Sequence, residues 1–365
     1  MGGAEVEDTK TRVNGRASVR VAFVTPFRHA FLAYPLQKHK KELAKRGIHI
    51  RIRSSIPRNV SDFDLAILTR AHFVKVARAE NRRVTPHELV QITADMLRGK
   101  GVKFIFFDDR DGTPSSFFSV LPHVDLFLKR QHLKKKELYA DKTYANTHSE
   151  WLVGEKSRRV PVAAIDQLHK IRVGWNCGFE DFSPSRKFAK IASWYGITRS
   201  PKSTPPAQGR PILAGFRGAL GGSRRHHRQL AIDALEACDL GDIRTRGRLS
   251  RRKYLKELEL SQTALSPFGF GEPCYRDFEA VLAGAVLVKP DMGHLETYPH
   301  VYSPYETYVP VRWDFSDLAE RLEDVLKNQE LALRLASKAQ ADYLYQVCSV
   351  DAFEKHFRGI LQAAL

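Results

Sequence analysis

The chain reads as an α/β protein made of two doubly wound parallel-sheet halves, and three observations carry that expectation. Apolar runs of strand length alternate with amphipathic helical stretches through residues 19–129 and again through 211–288. Between the two series, residues 176–208 concentrate Ser, Pro and basic side chains and lose hydrophobic periodicity. The segment 265–291, LSPFGFGEPCYRDFEAVLAGAVLVKPD, then sets a strand, a glycine loop, a helix and a strand in immediate succession. A chain of 365 residues also exceeds what one hydrophobic core ordinarily serves.

Residues 1–17 are polar and glycine-containing, are expected to be disordered, and do not form a secretory signal. The first strand is VRVAFVTP, closed by Pro26, and the loop after it holds His29. A helix over 35–46 ends at Gly47, a residue suited to the left-handed conformation that terminates helices. Strands over 48–52 and 64–69, a helix over 86–98 and a strand over 102–107 follow, the last ending in the acidic loop Asp108-Asp109-Arg110-Asp111-Gly112. A strand over 125–129 completes the sheet, and strands separated by helices in this rhythm specify a parallel sheet covered on both faces.

After the break the alternation restarts. PILAGF, 211–216, is a strand with Gly215-Phe216-Arg217-Gly218 at its carboxyl end. A helix over 228–238, a short strand over 243–245, a helix over 251–261 and a strand over 263–267 lead into the glycine loop. Beyond the strand 285–288 come a strand over 308–311 and helices over 315–327 and 330–346. The expected organisation is an N-terminal domain over 18–185, a linker over 186–209, a C-terminal domain over 210–346, and a final amphipathic helix, 347–365, packing back on the N-terminal domain.

Lys and Arg outnumber Asp and Glu by 59 to 41, a formal charge of +18, which calls for an anionic partner such as nucleotide phosphate, phospholipid or nucleic acid. The excess clusters at Lys38–Lys41, Lys129–Lys136, Arg224–Arg228 and Arg244–Lys253. Such runs serve either as solvated faces or as attachment to an anionic membrane surface. No apolar run reaches the roughly 18 residues of a spanning helix, so membrane contact is expected to be peripheral. Four dispersed cysteines without metal-finger spacing read as reduced thiols of a cytoplasmic protein, acting free or at the inner face of the membrane.

The glycine loop and the helix after it hold the residue types of a nucleotide-sugar site. A helix N-terminus presents unpaired N–H groups and partial positive charge, which suit phosphate. Arg276 adds a planar fork of donors for phosphate oxygens, and Glu279, one turn on, accepts hydrogen bonds from sugar hydroxyls. Phe268 and Phe270 are candidates to stack on a nucleobase. Arg217, between glycines at a strand end, is placed to enter the same crevice. A plainer reading, a tight turn with solvated charges at a helix start, stands beside this one.

Two such halves, with YLKELELSQTALSPFGFGEPCYRDFEAVLAGAVLVKPDMGH in the second, resemble glycosyltransferases of the GT-B superfamily, including the exostosin-like, CgeB-like and group 1 types. The likeness spans about 254–319, a fifth of the chain. The resemblance implies two Rossmann-like domains facing each other across a cleft, the N-terminal one an acceptor platform. It implies that Glu279 holds the donor ribose and that Arg276 and the backbone from Gly269 through Gly271 to Glu272 face the pyrophosphate or sugar, with Gly215 and Arg217 beside them. It further implies a nucleotide sugar as donor substrate, no permanently bound cofactor or metal, and a glycan, glycolipid or other cell-envelope acceptor. The common retaining pattern has two glutamates separated by seven residues; here the position eight before Glu279 is Gly271, and the nearby acid is Glu272.

Glycosyl transfer needs charge neutralisation on the leaving diphosphate, an acceptor hydroxyl in line and, with inversion, a general base. Arg217, Arg224 or Arg225, and Arg276 are the candidates for the first. Asp109, Asp111 and His29 are the candidates for the base, with Asp108 beside them. Carboxylates in DDRD also fit Mg²⁺ by type. Two alternatives stand apart: a non-catalytic nucleic-acid-binding protein using the basic clusters, which lacks any recognised nucleic-acid motif, and a sugar-nucleotide epimerase of the same shape.

Overall fold

The computed structural model describes residues 18–26, 31–141, 162–180, 182, 191, 197–221, 225–245 and 247–365. In the N-terminal lobe, β1 (Val19–Val24), β2 (Ile48–Arg53), β3 (Leu65–Thr69), β4 (Lys103–Asp108), β5 (Leu126–Lys129) and β7 (Ile171–Val173) form one sheet in the order β2-β1-β3-β4-β5-β7. Every neighbouring pair is parallel. The central strands are buried along their length, which is why LAILT and KFIFFD read as apolar runs rather than alternating patterns.

The helix expected over 35–46 is two, α1 (Tyr34–Lys38) and α2 (Lys40–Lys45), separated at His39, whose buried ring stacks on Phe353 at 5.4 Å. Helix α3 (Arg70–Ala79) was not anticipated; its N-cap Thr69 makes no side-chain capping bond, so the start carries no local signal. By contrast α4 (Pro86–Gly99) opens with a full capping box, Glu88 N–H donating to Thr85 Oγ1 and Thr85 N–H to Glu88.

The C-terminal lobe repeats the plan. Its strands β8 (Ile212–Gly215), β9 (Ile243–Arg244), β10 (Ser261–Leu265), β11 (Val286–Pro290) and β13 (Val309–Val311) run parallel in the order β13-β11-β10-β8-β9. Helices α5 (Arg225–Glu236), α6 (Arg251–Glu259), α7 (Tyr275–Leu282), α8 (Leu318–Lys327) and α9 (Gln329–Cys348) cover it. In each sheet the strand order reverses after the first strand, between β1 and β3 and between β8 and β10. Ligand crevices open at the carboxyl ends of strands at such reversals.

The lobes are stitched together at those carboxyl ends. A short strand β6 (Gln131–Leu133) pairs antiparallel with β12 (Leu295–Thr297), setting Leu133 opposite Leu295 and Gln131 opposite Thr297. Three-residue strands of this kind leave no periodicity to read. The last helix, α10 (Val350–Ala364), lies on the N-terminal lobe, where Phe353 and Phe357 stand nearly perpendicular to Trp175 and Arg46 pairs with Asp351 and Glu354. Asn176 and Phe179, at the start of the stretch that loses periodicity in the sequence, are fully buried, and Asn176 N–H donates to Tyr298 O at 2.8 Å. Residues 197–209 carry neither helix nor strand. Among the described residues no helix is long and apolar enough to cross a membrane.

Candidate functional site

The glycine loop between β10 and α7 is held from beneath. Asp277, in the first turn of α7, is fully buried and accepts from Cys274 N–H (2.9 Å), Tyr302 Oη (2.7 Å), Lys289 Nζ (3.1 Å) and the Ser266 hydroxyl. Lys289 comes from β11 and is equally buried, so a carboxylate and an ammonium together fix where the helix starts. His227 of α5 does the same for the loop's first half. Its Nδ1 accepts from Phe268 N–H at 3.2 Å and its Nε2 donates to Trp313 O at 3.0 Å, so the ring is in one neutral tautomer. Phe268, stacked on His227 at 4.8 Å, is therefore core and not a nucleobase platform, whereas Phe270 is 59% exposed.

A cavity of about 990 Å³ opens beside the start of α7, lined by Arg217, Arg228, Arg251, Tyr254, Arg276 and Glu279 among others. The Arg276 guanidinium stands 4.5 Å from the Phe216 ring centre and donates through Nη2 to Arg217 O at 3.2 Å. Its Nε and Nη1 are buried and have no hydrogen-bond partner among the described residues. Gly218 makes this pose possible, since a Cβ there would stand 2.6 Å from the Phe216 ring and 3.1 Å from Arg276 Nη2.

Glu279 is 6% exposed and receives Arg251 Nη1 at 2.6 Å. Burial and the Glu279 carboxylate together push the neighbouring Tyr254 phenol far up, so it stays a donor to that carboxylate. Arg228 donates to Ala219 O at 2.7 Å and brings Nη2 to 3.7 Å from where a Gly269 Cβ would stand. Neither Arg228 nor Arg251 was singled out from sequence, because both belong to basic runs that look like solvated helix faces.

The other expected residues fall into different places. Arg217 spends its fork on Glu257, with Nε and Nη2 each 2.8 Å from a carboxylate oxygen, and contributes its backbone carbonyl to Arg276. Gly215 sits at the end of β8, where a Cβ would come 3.4 Å from Arg244 O of β9. Gly271 and Glu272 lie at the lobe junction. A Cβ on Gly271 would collide with the backbone of Asp111 and Gly112, and the buried Glu272 accepts from Gln131 Nε2 at 3.1 Å and from the Thr113 hydroxyl.

On the N-terminal lobe the acidic loop divides its labour. Asp108 is buried against Lys129 Nζ at 3.2 Å. Asp109 accepts from Arg70 Nε at 2.9 Å and from Ala71 N–H at the start of α3, and burial pushes its carboxyl up. Asp111 is the half-exposed one, 48% open, and is held by Arg130, a buried guanidinium that also stacks on Phe31 at 4.5 Å. His29 and Arg224 lie outside the described residues, and Arg225 is exposed. Among the described residues no three His, Cys, Asp or Glu side chains are grouped to hold a metal ion.

No family model matches the chain, and no curated protein is significantly similar to it. Among solved structures it is similar in layout to a glycosyltransferase from Rickettsia africae ESF-5, at 12% identity and a TM-score of 0.46 over 95% of this chain and 98% of that one. An alpha-glucosyltransferase in complex with UDP and a 13-mer DNA gives 11% identity and a TM-score of 0.43 over 94% and 99% of the two chains. A mutant of S. aureus TarM in complex with Fondaparinux, alpha-GlcNAc-glycerol and UDP gives 10% and 0.44 over 81% and 55%.

Proposed function

We propose that the chain is a GT-B glycosyltransferase that moves a sugar from a nucleotide-activated donor to a hydroxyl of a glycan, glycolipid or other envelope acceptor. One observation carries the reading: Arg276, at the head of α7, keeps two buried nitrogens without a partner among the described residues, one turn away from the buried carboxylate of Glu279. Buried donors without acceptors cost about 1–3 kcal/mol each, and the oxygens of a diphosphate would satisfy them. Arg276 and Arg228, with the N–H groups of the first turn of α7, then take up the charge that grows on the leaving diphosphate. Glu279 accepts from the ribose hydroxyls, oriented by Arg251 and Tyr254. The nucleotide sugar enters as a substrate, and no resident cofactor is required.

The base assigned here is Asp111. It is open to solvent, it borders the glycine loop across the lobe junction, and Arg130 fixes its direction. Asp109 is committed to Arg70 and the start of α3. The setting proposed is the cytoplasm, with the basic exposed faces meeting an anionic acceptor or the inner membrane surface. Isothermal titration with uridine, guanosine and adenosine diphosphates and their sugar conjugates tests the reading. At least one is expected to bind, and to bind at least tenfold more weakly to Arg276→Ala; no binding by any of them removes the proposal.

A further inference from the structure

A second cluster of basic side chains lies away from this cleft, on the open edge of the N-terminal sheet. There β2 is the outermost strand, and its exposed residues alternate as His49, Arg51 and Arg53 while Ile48 and Ile50 turn inward. At about 3.3 Å per residue the three side chains stand about 6.6 Å apart in one row. Arg20 of β1 pairs in register with His49 and adds a further cation beside the row. A groove of about 580 Å³ runs along this edge, lined by Arg20, Lys40, His49 and Arg51, with Asp62 as the acid on its wall. Lys41 and Lys45 of α2 and Arg53 of β2 are exposed on the elements that carry its lining residues. Of the acids nearby, Asp64 pairs with Arg20 and Glu42 with Lys45, so those two cations share their charge, and Asp62 accepts from the Asn59 amide.

We propose that this groove binds a linear phosphate-bearing polymer whose repeating units are not aromatic, such as a sugar-phosphate or polyol-phosphate chain. The row of basic side chains, with Arg51 and Arg53 as its fixed charges, and the strand's unpaired edge suit a chain with regularly spaced oxyanions. Single-stranded nucleic acid is recognised with aromatic platforms for its bases, whereas among the groove's lining residues there is no Tyr or Trp, Phe63 is 5% exposed beneath the Arg51 guanidinium, and His49 is the single exposed ring. A lipid surface is disfavoured by the concave shape and by the absence of an exposed large apolar side chain among the groove's lining residues. The groove is reached from the amino end of β1, whereas the glycosyl-transfer cleft opens at carboxyl ends, so the site stands independently of that reading.

The test uses the full chain and long-chain inorganic polyphosphate as probe, followed by fluorescence anisotropy across a salt series. Tight binding that falls steeply with salt is expected, with orthophosphate ineffective. Arg20→Ser/His49→Ser/Arg51→Ser should weaken it at least tenfold, while Lys327→Ser/Arg334→Ser/Lys338→Ser on the other lobe leaves it within twofold. Nucleoside diphosphate affinity should be equal in both triple variants, which separates this site from the cleft and reports folding. Equal losses in the two variants, no polyphosphate binding, or tighter binding of oligo-dT or phosphatidylserine vesicles than of polyphosphate would each overturn the proposal.

Discussion

A Cβ placed on Gly271 would lie 1.8 Å from the backbone carbonyl oxygen of Asp111. The glycine loop of one lobe and the acidic loop of the other are thus in backbone contact, and Glu272 bonds across the same seam to Thr113 and Gln131. Gly271→Ala must part the loops, so it should cost at least the 1–3 kcal/mol typical of overpacking, read as a lowered Tm, and should weaken catalysis. Gly269, two residues away in the same motif, offers a Cβ only ordinary contacts, the nearest at 3.5 Å. Gly269→Ala should keep the wild-type Tm. Equal Tm for the two variants would mean that the lobes do not meet here.

Arg276→Lys distinguishes a point charge from a planar fork. The lysine keeps the charge but loses the two donors, Nε and Nη1, proposed to meet phosphate, and the stack on Phe216. Charge-assisted bonds contribute about 1.5–3 kcal/mol, so nucleoside diphosphate affinity should fall about 10- to 100-fold by calorimetry with little change in Tm. Unchanged affinity would show that Arg276 does not touch phosphate.

Lys289→Met leaves the Asp277 carboxylate buried without its counter-ion. Breaking such a pair from one side costs about 3–5 kcal/mol, so the variant should unfold at markedly lower temperature. Lys289→Met/Asp277→Asn removes the stranded charge and should regain part of the loss. If the double variant is no better than the single, charge is not what organises the start of α7.

Acid should loosen the seat of α10. Burial pushes both His39, stacked on Phe353, and His356, stacked on Tyr298 and bonded to Gly174 O, down to about 4 from 6.5. The folded state therefore favours neutral rings, and the unfolded chain takes up protons first as pH falls. Stability is full above about pH 6.5 and declines toward pH 4, by on the order of 1–3 kcal/mol per ring. His356→Gln should flatten the Tm profile across that window; an unchanged slope would count against the assignment.

Much of the fold was legible because period and punctuation are local. The strands LAILT and KFIFFD carry the unbroken apolar runs LAIL and FIFF since both faces are covered, and α4 announces itself with Thr85, Pro86 and Glu88. Helix α3 lacks a cap, and β6 and β12 are three residues each, too short for any pattern. At the site, Arg276 and Glu279 stood out because they fall at a helix start after a glycine loop. Arg228 and Arg251 sit in basic runs, and nothing local marks which members of a run turn inward.

By itself the sequence determined two parallel α/β halves, the glycine loop ahead of α7 and the residue types at its head, since these follow from spacing along the chain. Only the tertiary structure decided that Gly271 and Glu272 serve the lobe junction, that Arg217 is tied to Glu257, and that two Arg276 nitrogens find no partner among the described residues. Those outcomes depend on which groups from distant segments compete for the same donors and acceptors. At the lobe junction the groups that meet are Asp111 and Gly271, 160 positions apart, and their contact leaves no trace in the sequence around either residue.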